Sequence, residues 1–127
     1  MPERILSFRD LRVYQETFEL QQAVFKISKS WPGEEKFALT DQIRRSSRSI
    51  GANIAESWAK RSYPSHFISK LTDADGELQE TSHWLTTALA CQYIAENEYA
   101  KFQTHVEEIG KMLGKMMSIP EKFIPNH

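Results

Sequence analysis

The chain has 127 residues, of which 40% are hydrophobic and 26% charged, with a formal net charge of −1. That length suits one domain whose core hides roughly two-thirds of the unfolded surface, and the near-neutral charge excludes a bulk electrostatic footprint for nucleic acid or anionic membrane. A lone cysteine, Cys91, excludes an internal disulfide and fits a reducing compartment, and no apolar run approaches the ~20 residues of a membrane span.

The N-terminal segment MPERILSF lacks the apolar centre of a signal peptide, so a cytoplasmic location is expected. Five Gly and five Pro leave long uninterrupted stretches, with Pro2, Pro32, Pro64, Pro120 and Pro125 at the edges. The first helix is predicted over about 8–30, after a start signal of Ser7 with Asp10 and before the stop Trp31-Pro32-Gly33. It carries two apolar stripes. Leu11, Tyr14, Phe18 and Phe25 form one; Val13, Leu20, Val24 and Ile27 form the other. One stripe suffices for a small core, so the second is expected to meet another copy of the chain.

The second helix, about 37–61, contains the most informative segment, DQIRRSSRSIGANIAESWAK from Asp41 to Lys60. Ile43, Ser47, Ile50, Ile54 and Trp58 share one face. Ser49, Ala52, Ala55 and Ala59 lie broadly opposite, on a face nearly bare of side chain where another helix can come close. Gly51 in mid-helix costs about 1 kcal/mol relative to Ala, which close packing would offset.

The third helix, about 65–93, repeats Phe67, Leu71, Ala74, Leu78, Thr81, Leu85 and Ala88 at alternating spacings of four and three. The fourth, about 97–117, repeats Tyr99, Phe102, Val106, Ile109, Leu113 and Met116 in the same rhythm. This is the seam of a left-handed bundle. Short connections imply antiparallel neighbours, so the expected fold is all-α: one antiparallel up-down-up-down four-helix bundle spanning residues 1–127, with a short, loose tail. No alternating strand pattern competes.

Arg44, Arg45 and Arg48 crowd one turn, with Lys60 and Arg61 at the helix end. Residues 41–61 hold five basic and two acidic side chains; residues 66–95 hold one basic, Lys70, against Asp73, Asp75, Glu77 and Glu80. Interhelical ion pairing is the plain reading of that contrast. A phosphate-binding surface is the sharper one, since guanidinium forks suit phosphate. Asn53 and Glu56 flank the apolar face and are expected in a structural polar network with an arginine, to which Glu77 and Glu80 contribute, because an unpaired buried charge is costly.

Glu80-x-x-His83 matches only half of a di-iron ligand set, and His83 lies about 200° around the helix from the core positions Thr81 and Leu85. His66, His105 and His127 stand apart from any Cys or carboxylate at ligand spacing, and His83 and His105 are expected on helix surfaces. Cys91 is expected to be a buried thiol. Gly110 and Gly114 suggest close helix packing, and Trp31, Trp58 and Trp84 read as packing anchors. No GxSxG, P-loop or Rossmann glycine pattern is present. No cofactor, metal site or enzyme activity is expected.

These residues together resemble a family of bacterial four-helix-bundle proteins named for intervening sequences in 23S rRNA genes. The resemblance rests on Phe8-x-Asp10-Leu11-x-Val13-Tyr14-Gln15 and Pro32-x-Glu34-Glu35-x-Phe37-x-Leu39. It continues through Gln42-Ile43-Arg44-Arg45-Ser46 and Ser49-Ile50-x-x-Asn53-Ile54-Ala55-Glu56, then Gly76-x-Leu78-x-Glu80. Two positions depart from the family pattern: Ser57 stands where Gly is usual, and Glu77 where Ser is usual. Glu77 adds negative charge beside the arginines and weakens the phosphate reading. The resemblance implies a homopentamer with no established enzyme activity. A related group, the accessory variability-determinant proteins of diversity-generating retroelements, is similar in fold and binds nucleic acid and a reverse transcriptase through a strongly basic pentamer; that charge is missing here. The expectation is a non-enzymatic, self-assembling scaffold. The alternative is an RNA- or DNA-binding pentamer, associated with ribosomal RNA or a retroelement, using Arg44, Arg45, Arg48, Lys60 and Arg61.

Overall fold

The structure is a computed structural model that describes residues 4–125; Pro2 and His127 lie outside the described residues. Four helices carry the fold: α1 (Arg12–Ser28), α2 (Asp41–Ala59), α3 (Pro64–Ala90) and α4 (Glu96–Ser118). No strand occurs among the described residues. Cross-helix pairs run in opposite sequence order at each step. Gly51 sits against Tyr14 while Arg44 reaches Phe25; Arg45 pairs with Glu80 while Glu56 pairs with Lys70. Ser82 bonds Gln103 and Thr72 meets Met117. Successive helices are therefore antiparallel, and α1 also contacts α4 to close the ring.

The helix ends sharpen the sequence expectations. Ser7 and Asp10 do form a capping box, with the Ser7 N–H donating to Asp10 Oδ2 at 3.1 Å, but it starts a short 3-10 turn, Phe8–Asp10, before α1 begins at Arg12. A π-turn, Lys36–Thr40, leads into α2. The third helix stops at Ala90, short of the expected 93, because Gln92 adopts a left-handed backbone, φ 64°. The Tyr93 N–H then donates to Ala88 O at 2.8 Å and the Gln92 N–H to Leu89 O at 2.9 Å. That is a Schellman closure with Gln in the place glycine usually takes. It leaves Cys91 exposed at the cap, so the expected buried thiol is not found.

The core confirms the α3 stripe in full: Phe67, Leu71, Ala74, Leu78, Thr81, Leu85 and Ala88 are all buried. Val106, Ile109, Leu113 and Met116 face it from α4, while Tyr99 and Phe102 are half-buried at its edge. In the first stripe of α1, Leu11 is buried and Tyr14 packs against the core as expected, but the second stripe departs from its expected role. Val13, Leu20 and Val24, expected to pack another copy, are buried in the chain's own core, with Ile27 packed against it. The rings of the first stripe turn toward the flank of α2, leaving Phe18 46% exposed. The tail also differs from expectation: Phe123 stacks on Phe67 with ring centroids 5.3 Å apart.

Glycines separate close approach from open surface. A Cβ on Gly51 would meet Tyr14 Cε1 at 3.3 Å, whereas one on Gly76 or Gly114 would meet nothing within 4 Å. Gly114 is exposed, so the Gly110/Gly114 pair is not a close helix contact as the sequence suggested. In urea unfolding, Gly76→Ala is predicted to stabilise by up to about 1 kcal/mol. Gly51→Leu is predicted to destabilise by roughly 1–3 kcal/mol through overpacking.

The loop after α1 is tied to the end of α3 by the Tyr93 hydroxyl, which donates to Glu35 Oε2 at 2.7 Å. That hydrogen bond foremost, then burial, pushes the Tyr93 pKa up to about 12. A pKa raised on folding stabilises the fold below the unfolded value of about 10 and loses that contribution as pH rises through the folded value. Tyrosinate absorbance is expected to show one of the four tyrosines ionising near pH 12; Tyr93→Phe removes that late step.

Candidate functional site

The arginine segment lies on α2, whose inner face is fixed by Ile43, Ser46, Ser47, Ile50, Gly51, Ile54 and Ser57, all buried. Small hydroxyls let α3 approach. Ser46 Oγ and Thr81 Oγ1 lie 2.8 Å apart; with Thr81 donating to Glu77 O at 2.9 Å, the Ser46 hydroxyl donates to Thr81 rather than to the more distant Ile43 O at 3.3 Å. Ser57 Oγ donates to Ile54 O at 2.7 Å, so the hydroxyl standing at the family's usual glycine is satisfied within α2.

The arginines divide by role. Arg45 bridges to α3, with Nη2 2.7 Å from Glu80 Oε2 and Nη1 3.4 Å from Glu77 Oε2. Glu80 is braced further by the Trp84 indole N–H at 3.1 Å. Interhelical pairing is therefore the structural use of Arg45, and Glu77 is part of it. Arg45 is 54% exposed, so the pair contributes only about 0–1 kcal/mol.

Arg44 and Arg61 do something the sequence did not suggest. Arg44 Nε donates to Ser28 Oγ at 2.9 Å, and its Nη2 reaches Phe25 O at 3.5 Å, in the last turn of α1. Its guanidinium lies 4.7 Å from the centre of the Phe25 ring, and that of Arg48 lies 5.5 Å from it. Arg61 donates to Trp58 O at 2.8 Å and stacks 4.0 Å from the Trp58 ring. Cations at the carbonyl ends of α1 and α2 complement the helix dipoles, and each ring stack adds roughly 0.5–1 kcal/mol. Arg48 and Lys60 have no carboxylate partner among the described residues.

Asn53 and Glu56 are not joined to the arginines as expected. Asn53 Nδ2 donates to Ser49 O at 2.9 Å within α2. Glu56 pairs with Lys70 Nζ at 2.8 Å. The Lys70 hydrogen bond foremost, with its charge, holds the Glu56 carboxyl below the ordinary carboxylate range, and Glu56 in turn raises the Lys70 pKa. The polar groups thus form two separate interhelical clamps, Arg45 with Glu77 and Glu80, and Glu56 with Lys70, placed either side of Asn53 along α2.

On the outer face of α2, Ala52 and Ala59 are exposed while Ser49 and Ala55 are half-buried. The Tyr14–Phe18–Phe25 stripe of α1 runs along the flank of the first half of α2, since Tyr14 approaches Gly51 and Phe25 lies under Arg44 and Arg48. Toward the start of α2, Asp41, Arg44, Arg45, Arg48, Ser49 and Ala52 line a shallow depression of about 520 Å³. The result is an apolar strip edged by positive charge. His83 points to solvent as expected, edge-on to Trp84. His105 does not: it is half-buried and bonded to Glu16, 89 residues away in sequence. A pairing at that separation leaves no local motif. Among the described residues no helix is long and apolar enough to cross a membrane.

The family described as 23S rRNA-intervening sequence protein matches residues 9–115. No curated protein matches the chain. A solved structure from Bacteroides thetaiotaomicron, a protein of unknown function from the S23 ribosomal protein family, is 33% identical with a TM-score of 0.75. The match covers 84% of this chain and 95% of that one. With the four helices, the Arg44-Arg45 to Glu56 block and a family match over most of its length, this chain belongs to the 23S rRNA-intervening sequence protein family.

Proposed function

We propose that this protein is a non-enzymatic cytoplasmic scaffold that assembles with itself, as a homopentamer. The observation that carries this reading is uncovered apolar surface on two neighbouring helices: Ala52 and Ala59 are exposed on α2, and Phe18 on α1 is 46% exposed. Alanine has little side chain to hold a neighbour off, so a second copy can bring its backbone close. Phe18 supplies an aromatic anchor of the kind that dominates interface energetics. The Arg45 clamp borders the α2 face at Ser49 and Ala52 without covering Ala52, which stays exposed. The homopentameric number comes from the family resemblance.

A second reading has its own support. Arg48 and Lys60 have no carboxylate partner among the described residues, and Arg48 borders the depression at the start of α2. An RNA or DNA backbone crossing this face would find those two cations, while Arg44 is held on Ser28 and Phe25. Arg45 is committed to Glu77 and Glu80 and Arg61 to Trp58, so the phosphate set is smaller than the five cations the sequence nominated.

Light scattering coupled to gel filtration is predicted to give five copies for the untagged chain and a folded monomer for Ala52→Glu/Ala59→Glu, with helicity checked by circular dichroism. Phe18→Ala is predicted to weaken assembly by about tenfold or more. A monomer at micromolar concentration sinks the scaffold reading. Retention of mixed-sequence RNA or duplex DNA at low salt, weakened by added salt and lost in Arg48→Glu, would establish the second reading instead.

A further inference from the structure

We infer that Glu16 and Glu19 of α1 with His105 of α4 form a binding site for a first-row divalent cation of the zinc class. One ligand atom from each of the three lies within 4.8 Å of the others. His105 Nε2 is already 2.9 Å from Glu16 Oε1. Donors bound to zinc at about 2.0–2.2 Å necessarily lie roughly 3–4 Å from one another, so small side-chain rotations close the set around an ion.

The alternative is a plain His–Glu ion pair, and it leaves Glu19 unexplained. Glu19 has no hydrogen-bond or ion-pair partner among the described residues, yet its carboxylate reaches the same point. Two carboxylates drawn together repel, and one imidazole offsets that only when protonated. A dication balances both carboxylates and takes the neutral imidazole as its third donor.

Placement supports the same conclusion. Glu16 and His105 are about three-quarters or more covered, with side-chain exposures of 24% and 20%, while Glu19 is exposed at the mouth. Two donors are thus held by packing between α1 and α4, and the third can swing in from solvent. Glu16 and Glu19 stand three apart on one helix, so their side chains leave the same face. The ion's approach is past Glu19, which is exposed; the neighbouring groove at His105 is lined by Lys26 and Lys101 and does not include the two carboxylates. Imidazole with carboxylates suits zinc, iron(II) or manganese(II); magnesium favours an oxygen octahedron and is not well served by imidazole.

The test uses the untagged chain, stripped with a chelator and titrated calorimetrically with zinc chloride and separately with magnesium chloride. One zinc per chain at micromolar affinity or tighter is expected, with no magnesium uptake and a rise in Tm on zinc addition. His105→Gln abolishes the binding. Glu19→Gln, which leaves the His105–Glu16 contact intact, weakens it by more than about tenfold and removes most of the Tm rise. Circular dichroism of both variants establishes that they are folded. Absence of zinc binding, binding that survives His105→Gln, or binding unchanged in Glu19→Gln overturns the assignment; the first outcome leaves only an ion pair.

Discussion

The closeness of α2 to its two neighbours is the constraint on which the rest of the molecule depends. On one side Gly51 lets the Tyr14 ring edge come where even a methyl group would crowd it, at 3.3 Å. On another, Ser46 and Thr81 share a buried hydrogen bond at 2.8 Å between α2 and α3. Both hydroxyls also lie within reach of a carbonyl of their own helix, so the contact adds a buried interhelical hydrogen bond worth about 0.5–1.5 kcal/mol. With α2 pinned on both sides, the aliphatic stripe of α1 is turned into the core and the aromatic stripe is left along the outer edge of α2.

That rotation decides what the charged residues can do. Because the last turn of α1 arrives beside Arg44, its guanidinium serves the carbonyl end of that helix and lies on Phe25. Because α3 lies against α2, Arg45 meets Glu77 and Glu80, and Glu56 meets Lys70. The clamps hold the two ends of the α2–α3 contact; Ala52 between them and Ala59 beyond Glu56 are exposed. The same α1 orientation turns Glu16 toward His105 on α4. The bare outer face of α2, the residual positive charge and the three-donor cluster are thus consequences of one packing decision.

Much of this was legible in the sequence, for physical reasons that differ by helix. The α3 stripe was read residue by residue because an apolar seam with alternating spacing has a single face to turn inward. The pairing of Arg45 with α3 was legible from the opposed charge of two neighbouring segments. Helix α1 was not, since two stripes of similar strength carry no label saying which faces in, and both contribute buried residues, Leu11 from one and Val13, Leu20 and Val24 from the other. Cys91 was misplaced because Gln92 ends α3 early in a left-handed turn for which glycine is the usual signal. The capping roles of Arg44 and Arg61 and the pairing of His105 with Glu16 depend on contacts that no local pattern encodes.

The central claim is that the outer face of α2 is covered in solution although the fold of the single chain leaves it bare. The most direct measurement is paramagnetic broadening of alanine methyl signals by a soluble relaxation agent. The methyls of Ala52 and Ala59 are predicted to be shielded in the wild-type protein, while those of Ala90 and Ala100, exposed on α3 and α4, broaden strongly. Equal broadening of all four would contradict the claim.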